Sequence, residues 1–267
     1  MIARKQVGWL VAQFYKLLGA RLKAVSKAQN EGVIVPIVCH ALPAEELDYI
    51  LGWLKARQIN IWLTIDDGWS EVGDYLPILE KYNQKAILFI APGQTLRGNV
   101  WTNEATQLGI EPTEWRKWYS LDENARYKMF FRHAQGGRVV VNKLLDEASV
   151  RSIASHPLIE IGNHTWSHMS APHRPIEEFI EEVERTQKTL EEWTGRCPRY
   201  CAYPFGRGTP ELDAALRKRN LIPVYTRQGF STIETLGNAR NMVIENVTID
   251  ENLARILMAW CKVGETK

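Results

Sequence analysis

No run of eighteen apolar residues occurs in this chain, so no membrane-spanning helix is expected. Cysteine is scarce: Cys39, Cys197, Cys201 and Cys261. The one close pair, Cys197 and Cys201, lacks the two-residue spacing of a redox or zinc motif, so all four are read as reduced and structural. A disulfide scaffold is excluded with them. An excess of one charge sign is also missing. The net charge of +2 gives no electrostatic footprint for nucleic acid, and none is expected as a partner. Internal repeats and low-complexity segments are absent. Histidine is scarce too, and none follows His173.

What is present fits a single α/β unit. The 267 residues are long for one compact domain, but an α/β barrel runs to ~250 residues. A hydrophobic fraction of 45% allows a full core without metal or disulfide staples. Ten tryptophans is a high count, open to two readings, core packing or flat faces for a sugar ring. Residues 1–30 carry six basic and no acidic side chains, with Val7, Leu10, Val11, Phe14, Leu17, Leu18 and Leu22 at helical spacing. Three readings stay open there: a helix closing one end of the domain, a basic amphipathic helix on an anionic membrane face, or a targeting segment.

From residue 31 to 267 the pattern alternates. Strands are expected at 33–40, 59–65, 85–92, 158–164, 200–204, 222–226 and 242–248. Helices are expected at 43–58, 72–83, 175–193 and 209–219, with another at the C-terminus. This βαβ rhythm predicts a parallel sheet. The helix at 175–193 shows an apolar face of Ile176, Phe179, Ile180, Val183, Leu190 and Trp193, with Glu181/Arg185 and Glu184/Lys188 as pairs on the other face. Residues 93–155 break the rhythm and read as a long, mostly helical insertion.

Three features carry chemistry. "LTIDDG" ends an apolar strand with two adjacent carboxylates, Asp66 and Asp67, which repel one another unless a cation lies nearby. "HTWSH" places His164 and His168 four residues apart. Two histidines and one carboxylate form a three-ligand zinc set with a position left for water, whose proton the second aspartate can take. "YPFG" at 203–206 is a strand followed by a turn, where a backbone N–H could hold an oxyanion. Each alone has a plain alternative, a turn or a satisfied core histidine; their common placement at strand ends, where α/β barrels do chemistry, argues for a site.

"TIDDG", "HTWSH" and "YPFG" resemble the first three motifs of the polysaccharide deacetylases, the NodB-homology carbohydrate esterases, over roughly residues 33–250. The resemblance implies a distorted (β/α)7 barrel, a divalent metal with zinc the leading choice, and hydrolysis of an acetamido group on a sugar. It implies Asp66 as general base, Asp67, His164 and His168 as metal ligands, Thr165 as a brace of the histidine loop, and the Phe205 N–H as an oxyanion donor. Two departures stand out. Ala202 occupies the position of the third motif's arginine, for which Arg199 or Arg207 are the candidate substitutes. The C-terminal acid histidine is missing. "VPIVCH" is similar to a branch whose acid histidine precedes the aspartates, and His40 is the matching position.

The expected activity is therefore removal of an acetyl group from an N-acetylated sugar of a cell-surface polysaccharide or its nucleotide- or lipid-linked precursor. Hydrolysis of another acyl or amide group, and an inactive glycan-binding barrel, are the alternatives. Arg126, Lys128, Arg132, Arg138 and Lys143 form an acid-free stretch; Arg132 and Arg138 are candidates to clamp a phosphate-bearing substrate. Among the tryptophans, Trp69 and Trp166 are candidates to stack on sugar, with Trp101, Trp115 and Trp118 read mostly as packing. A cytoplasmic location at the inner membrane face, with peripheral contact through the N-terminal helix, is expected.

Overall fold

A computed structural model describes residues 33–133, 143–225, 231–232 and 242–244. The N-terminal amphipathic segment and the C-terminal helix expected from the sequence lie outside them. Seven parallel strands form the sheet: β1 (Val33–Cys39), β2 (Ile61–Ile65), β3 (Ala86–Ile90), β4 (Ile159–Asn163), β5 (Tyr200–Ala202), β6 (Ile222–Val224) and β8 (Met242–Ile244). Their order is β6-β5-β4-β3-β2-β1-β8, and the short β7 (Ser231–Thr232) pairs antiparallel with the start of β1. Strands thus neighbour one another in chain order, and no pairing joins β6 to β8 among the described residues. This is the distorted (β/α)7 barrel.

The helices that cross between strands are α1 (Ala44–Ala56), α2 (Val72–Tyr82), α7 (Glu147–Ala154), α8 (Ile176–Thr194) and α9 (Pro210–Arg217). Their ends follow local chemistry. Glu45 and Glu46 open α1 and Lys55 closes it, matching the helix dipole. Asp146 caps α7 by accepting from the Ser149 N–H, and Thr209 caps α9 by accepting from the Leu212 N–H. Strand residues alternate between two cores. Leu63, Ile65, Leu88, Ile90 and Ile161 face the helices, against Leu51, Tyr75, Leu79, Val150 and Leu190. Ile87, Phe89, Ala202 and Val224 fill the barrel interior with Trp62 and Tyr200. Both sets being apolar explains why "AILFI" reads as an unbroken hydrophobic run.

Between β3 and β4 lie α3 (Pro92–Arg97), α4 (Trp101–Gln107), α5 (Pro112–Trp115), a 3₁₀ turn (Arg116–Ser120) and α6 (Glu123–His133). They gather around their own core of Trp101, Trp118 and Phe130. The structure departs from the expected 93–155 insertion at its far end: Leu145, Val150, Ile153 and Ala154 belong to the main core. The helix α7 is the ordinary crossover helix of the barrel, too short to announce its periodicity. On α8, Arg185 and Glu184 reach away from their own helix. Arg185 lies over the Trp166 ring and Glu184 pairs with Arg219 at 2.7 Å, so tertiary partners replace the expected i,i+4 pairs.

One glycine reports on interior packing. A Cβ on Gly162 would meet Phe89 Cδ1 at 2.4 Å and Ile87 Cγ2 at 3.2 Å. Gly162→Ala is expected to destabilise by about 1–3 kcal/mol through overpacking, read from urea unfolding. An unchanged midpoint would contradict this description of the barrel interior.

Candidate metal and active site

The rim residues are set by the ladder continuing one step past each strand. The Asp66 N–H donates to Cys39 O (2.9 Å), His164 N–H to Ile90 O (3.0 Å) and Tyr203 N–H to Val224 O (3.1 Å). Since Cys39 pairs with Ile65, the next residues, His40 and Asp66, sit side by side at the C-terminal edge. The chain then turns sharply. Asp67 takes φ 73° and Gly68 φ 76°; a Cβ on Gly68 would also meet Ile90 Cδ1 at 2.5 Å, so only glycine fits there. Of the seven described non-glycine residues with positive φ, four are Asp67, Thr165, His168 and Phe205. Backbone strain thus concentrates where the sequence motifs converge.

Asp67, His164 and His168 are buried together, with one candidate ligand atom from each lying within 4.8 Å of the others. Asp67 Oδ1 is 3.1 Å from His168 Nε2 and 3.4 Å from His164 Nε2. Tetrahedral zinc ligands at 2.0–2.2 Å are separated by about 3.4 Å, so the set has the spacing a divalent ion requires. The donors agree. His164 Nδ1 lies 2.9 Å from Ala202 O, which can only accept, so Nδ1 carries the proton and Nε2 presents its lone pair. Trp69 Nε1 donates to Asp67 Oδ2 at 3.1 Å, leaving Oδ1 for the centre. Lone pairs meeting at these distances repel unless a cation or proton lies between them. Asp66 Oδ1, Asp67 Oδ1 and His168 Nδ1 are buried without hydrogen-bond partners; of these, Asp67 Oδ1 is the atom that faces both imidazoles.

The two aspartates are driven apart electrostatically. Burial pushes the Asp66 carboxyl up, with His164 and His40 opposing and Asp67 adding to the rise. Burial acts on Asp67 as well, yet His168 and His164 outweigh it and hold that carboxyl well below the usual range. Burial opposes charge on His164, but Asp67 and Asp66 lift its imidazole above the ordinary value; on His168 burial prevails and lowers it. Neighbouring carboxyls with diverging affinities for protons are the pattern of two groups with separate tasks.

Other candidates are placed as follows. The Phe205 ring stands edge-on to His168, centroids 4.8 Å apart, in a turn with φ 61°. Thr165 Oγ1 accepts from the Met169 N–H and its own N–H donates to Asn163, so it ties the histidine loop together. Trp166 has Arg185 over one face at 3.5 Å, and a Cβ on Gly93 would meet its Nε1 at 2.6 Å, so that face and that edge are occupied by the protein itself. Arg199 does not replace the missing arginine; it forks onto Glu160 at 2.8 Å at the opposite end of β4 and β5. Arg132 is exposed on α6, Arg138 lies outside the described residues, and Arg126 is buried rather than free to clamp. Trp118 is buried in the insertion core as expected. Sequence reading missed Tyr75, whose hydroxyl accepts from the Leu42 N–H (2.9 Å) and lies 3.3 Å from His40 O, fixing the turn after His40. Cys39 and Cys201 are buried free thiols, Cys197 is exposed, and burial drives the two buried thiols up, away from reactivity.

The profile of the polysaccharide deacetylase family matches residues 54–223, well over half the chain. The chain belongs to that family. Among solved structures, it is similar to a polysaccharide deacetylase from Bacillus cereus (TM-score 0.56, 14% identity, covering 84% of this chain and 69% of that one). It is also similar to IcaB from Ammonifex degensii (0.53, 20%, 86% and 97%) and to a Streptococcus pyogenes deacetylase solved with acetate (0.52, 18%, 88% and 84%). At these identities the likeness is one of fold. No curated protein matches by sequence.

Proposed function

We propose that this chain is a metal-dependent N-deacetylase acting on an N-acetylated sugar of a cell-surface polysaccharide or its nucleotide- or lipid-linked precursor. The observation carrying the reading is the buried Asp67–His164–His168 cluster with Asp66 and His40 beside it on one rim. Asp67, His164 and His168 would hold the ion, zinc by donor type. When bound, it supplies positive charge that polarises an acyl carbonyl and makes water more acidic. Asp66 accepts the proton of the attacking water. The Phe205 N–H donates to the oxygen that gains charge as the carbonyl is attacked. His40 protonates the sugar nitrogen as the C–N bond breaks, so water and amide become acetate and amine. In this reading Trp69 orients Asp67, and Arg132, the described one of the two clamp candidates, meets a phosphate-bearing substrate.

The assignment of His40 has its own test. His40→Ala is expected to lower kcat on an N-acetyl sugar by about 10²–10⁴-fold. It should leave hydrolysis of an aryl acetate near wild type, because that leaving group needs no proton. Equal losses on both substrates would assign the acid elsewhere. For location, we propose the cytoplasm at the inner membrane face, through the basic residues of segment 1–30; no described helix is long and apolar enough to cross a membrane.

The test of the whole reading is acetate release from nucleotide-linked, lipid-linked and polymeric N-acetyl sugars, with O-acetyl and formyl analogues alongside. Release from the analogues alone would favour a different acyl group.

A further inference from the structure

The histidine loop runs from His164 to Ser170 without regular secondary structure, and both Thr165 and His168 hold positive φ. Such a loop keeps its shape only if its surroundings impose it. Beside the loop's own Thr165 bonds and those to α8, several of the contacts that do so come from the insertion. Trp101, buried at the start of α4, donates its indole N–H to the His168 carbonyl at 2.9 Å, across 67 residues of sequence. Its own backbone N–H is held by Gln94 Oε1 at 2.8 Å. Arg126 on α6 is 2% exposed and lies 4.9 Å from the Trp101 ring centroid. Its Nη2 donates to Ser167 Oγ (2.6 Å) and Ser167 O (3.2 Å). Glu182 on α8 closes the network from the other side, accepting from the Ser167 hydroxyl (2.5 Å) and N–H (3.0 Å). Burying an arginine this deeply needs partners; Nη2 finds them in the loop at Ser167 and the Glu182 carboxylate lies near the charge, while Nη1 is buried without a hydrogen-bond partner.

We infer that the insertion between the aspartate and histidine motifs is a brace for the metal site, with Trp101 and Arg126 as positioning residues that hold His168 and the turn before it. The inference rests on Asp67, His164 and His168 binding a divalent ion. Neither side chain reaches that centre; each acts through the backbone or hydroxyl of the loop. A misplaced imidazole loses affinity for the ion, and outer partners of metal ligands are worth 10–100-fold in binding. The same residues give the insertion a reason to pack a core of its own against the rim: it presents one indole N–H and one guanidinium to the loop, adding to the internal ties of Thr165.

Zinc affinity, measured on the full chain by competition with a chromophoric chelator, tests this. Trp101→Phe removes the indole N–H together with part of a buried ring, so the metal-free melting temperature should fall somewhat; zinc binding by the folded variant should weaken about tenfold. Arg126→Met should weaken binding 10–100-fold, and Arg126→Lys should recover part of it, since lysine keeps the charge without the fork. The visible spectrum of the cobalt-loaded protein should shift in Trp101→Phe. Zinc bound by the variants as tightly as by wild type overturns the brace, as does a fall in melting temperature without a fall in affinity. If Arg126→Met does not fold, Trp101→Phe decides alone. A wild-type chain that binds no zinc removes the metal site itself, a distinguishable outcome.

Discussion

Asp66→Asn is expected to lower kcat for acetyl release by about 10²–10⁴-fold while metal content stays at the wild-type level. The substitution keeps shape and removes only the ability to accept a proton. Asp66 is buried, its N–H is fixed to Cys39 O, and its Oδ1 has no hydrogen-bond partner, so no structural contact depends on that oxygen. Removing a buried charge that lacks a hydrogen-bonded partner should not destabilise the metal-free fold. Turnover reduced less than tenfold, or metal lost together with activity, would mean that Asp66 is a ligand or a bystander.

Asp67→Asn is expected to separate the two acids from the other side. Asparagine tolerates the left-handed conformation that Asp67 adopts at φ 73°, so the turn should survive. The carboxylate is the sole anionic member of the ligand set, and its Oδ1 faces both imidazoles at 3.1 and 3.4 Å. Its loss should weaken zinc binding by more than the 10–100-fold attached to outer partners, with activity falling to background. Elemental analysis after dialysis gives the readout. Stoichiometric metal in the variant would show that the ion is held elsewhere.

Much of this site was legible because its signals are local. An apolar strand ending in Asp66 and Asp67, and two histidines four residues apart, are visible in short windows. The strands themselves were legible from apolar runs, since both faces of β3 are buried. His40 was legible through the likeness of "VPIVCH" to one branch of the family, and the pairing of Cys39 with Ile65 puts it beside Asp66. What stayed hidden is held by long-range contacts. Nothing in the sequence links Trp101 to His168 or Arg126 to Ser167, 67 and 41 residues apart. The basic stretch around Arg126 reads as a solvated face or a clamp, and only the packed fold shows one member buried. Trp69 was read as a candidate to stack on sugar, and its indole N–H bond to Asp67 was not legible. Arg199 illustrates the opposite hazard: near the third motif in sequence, it pairs with Glu160 at the far end of the strands.

Acetate release from an N-acetylated sugar substrate, measured on the chain stripped by chelator and then reloaded with zinc, tests the central claim most directly. The account predicts no release from the stripped chain and recovery on reloading, with recovery absent in Asp67→Asn. Release that is unaffected by the chelator, or restored equally in Asp67→Asn, would contradict it.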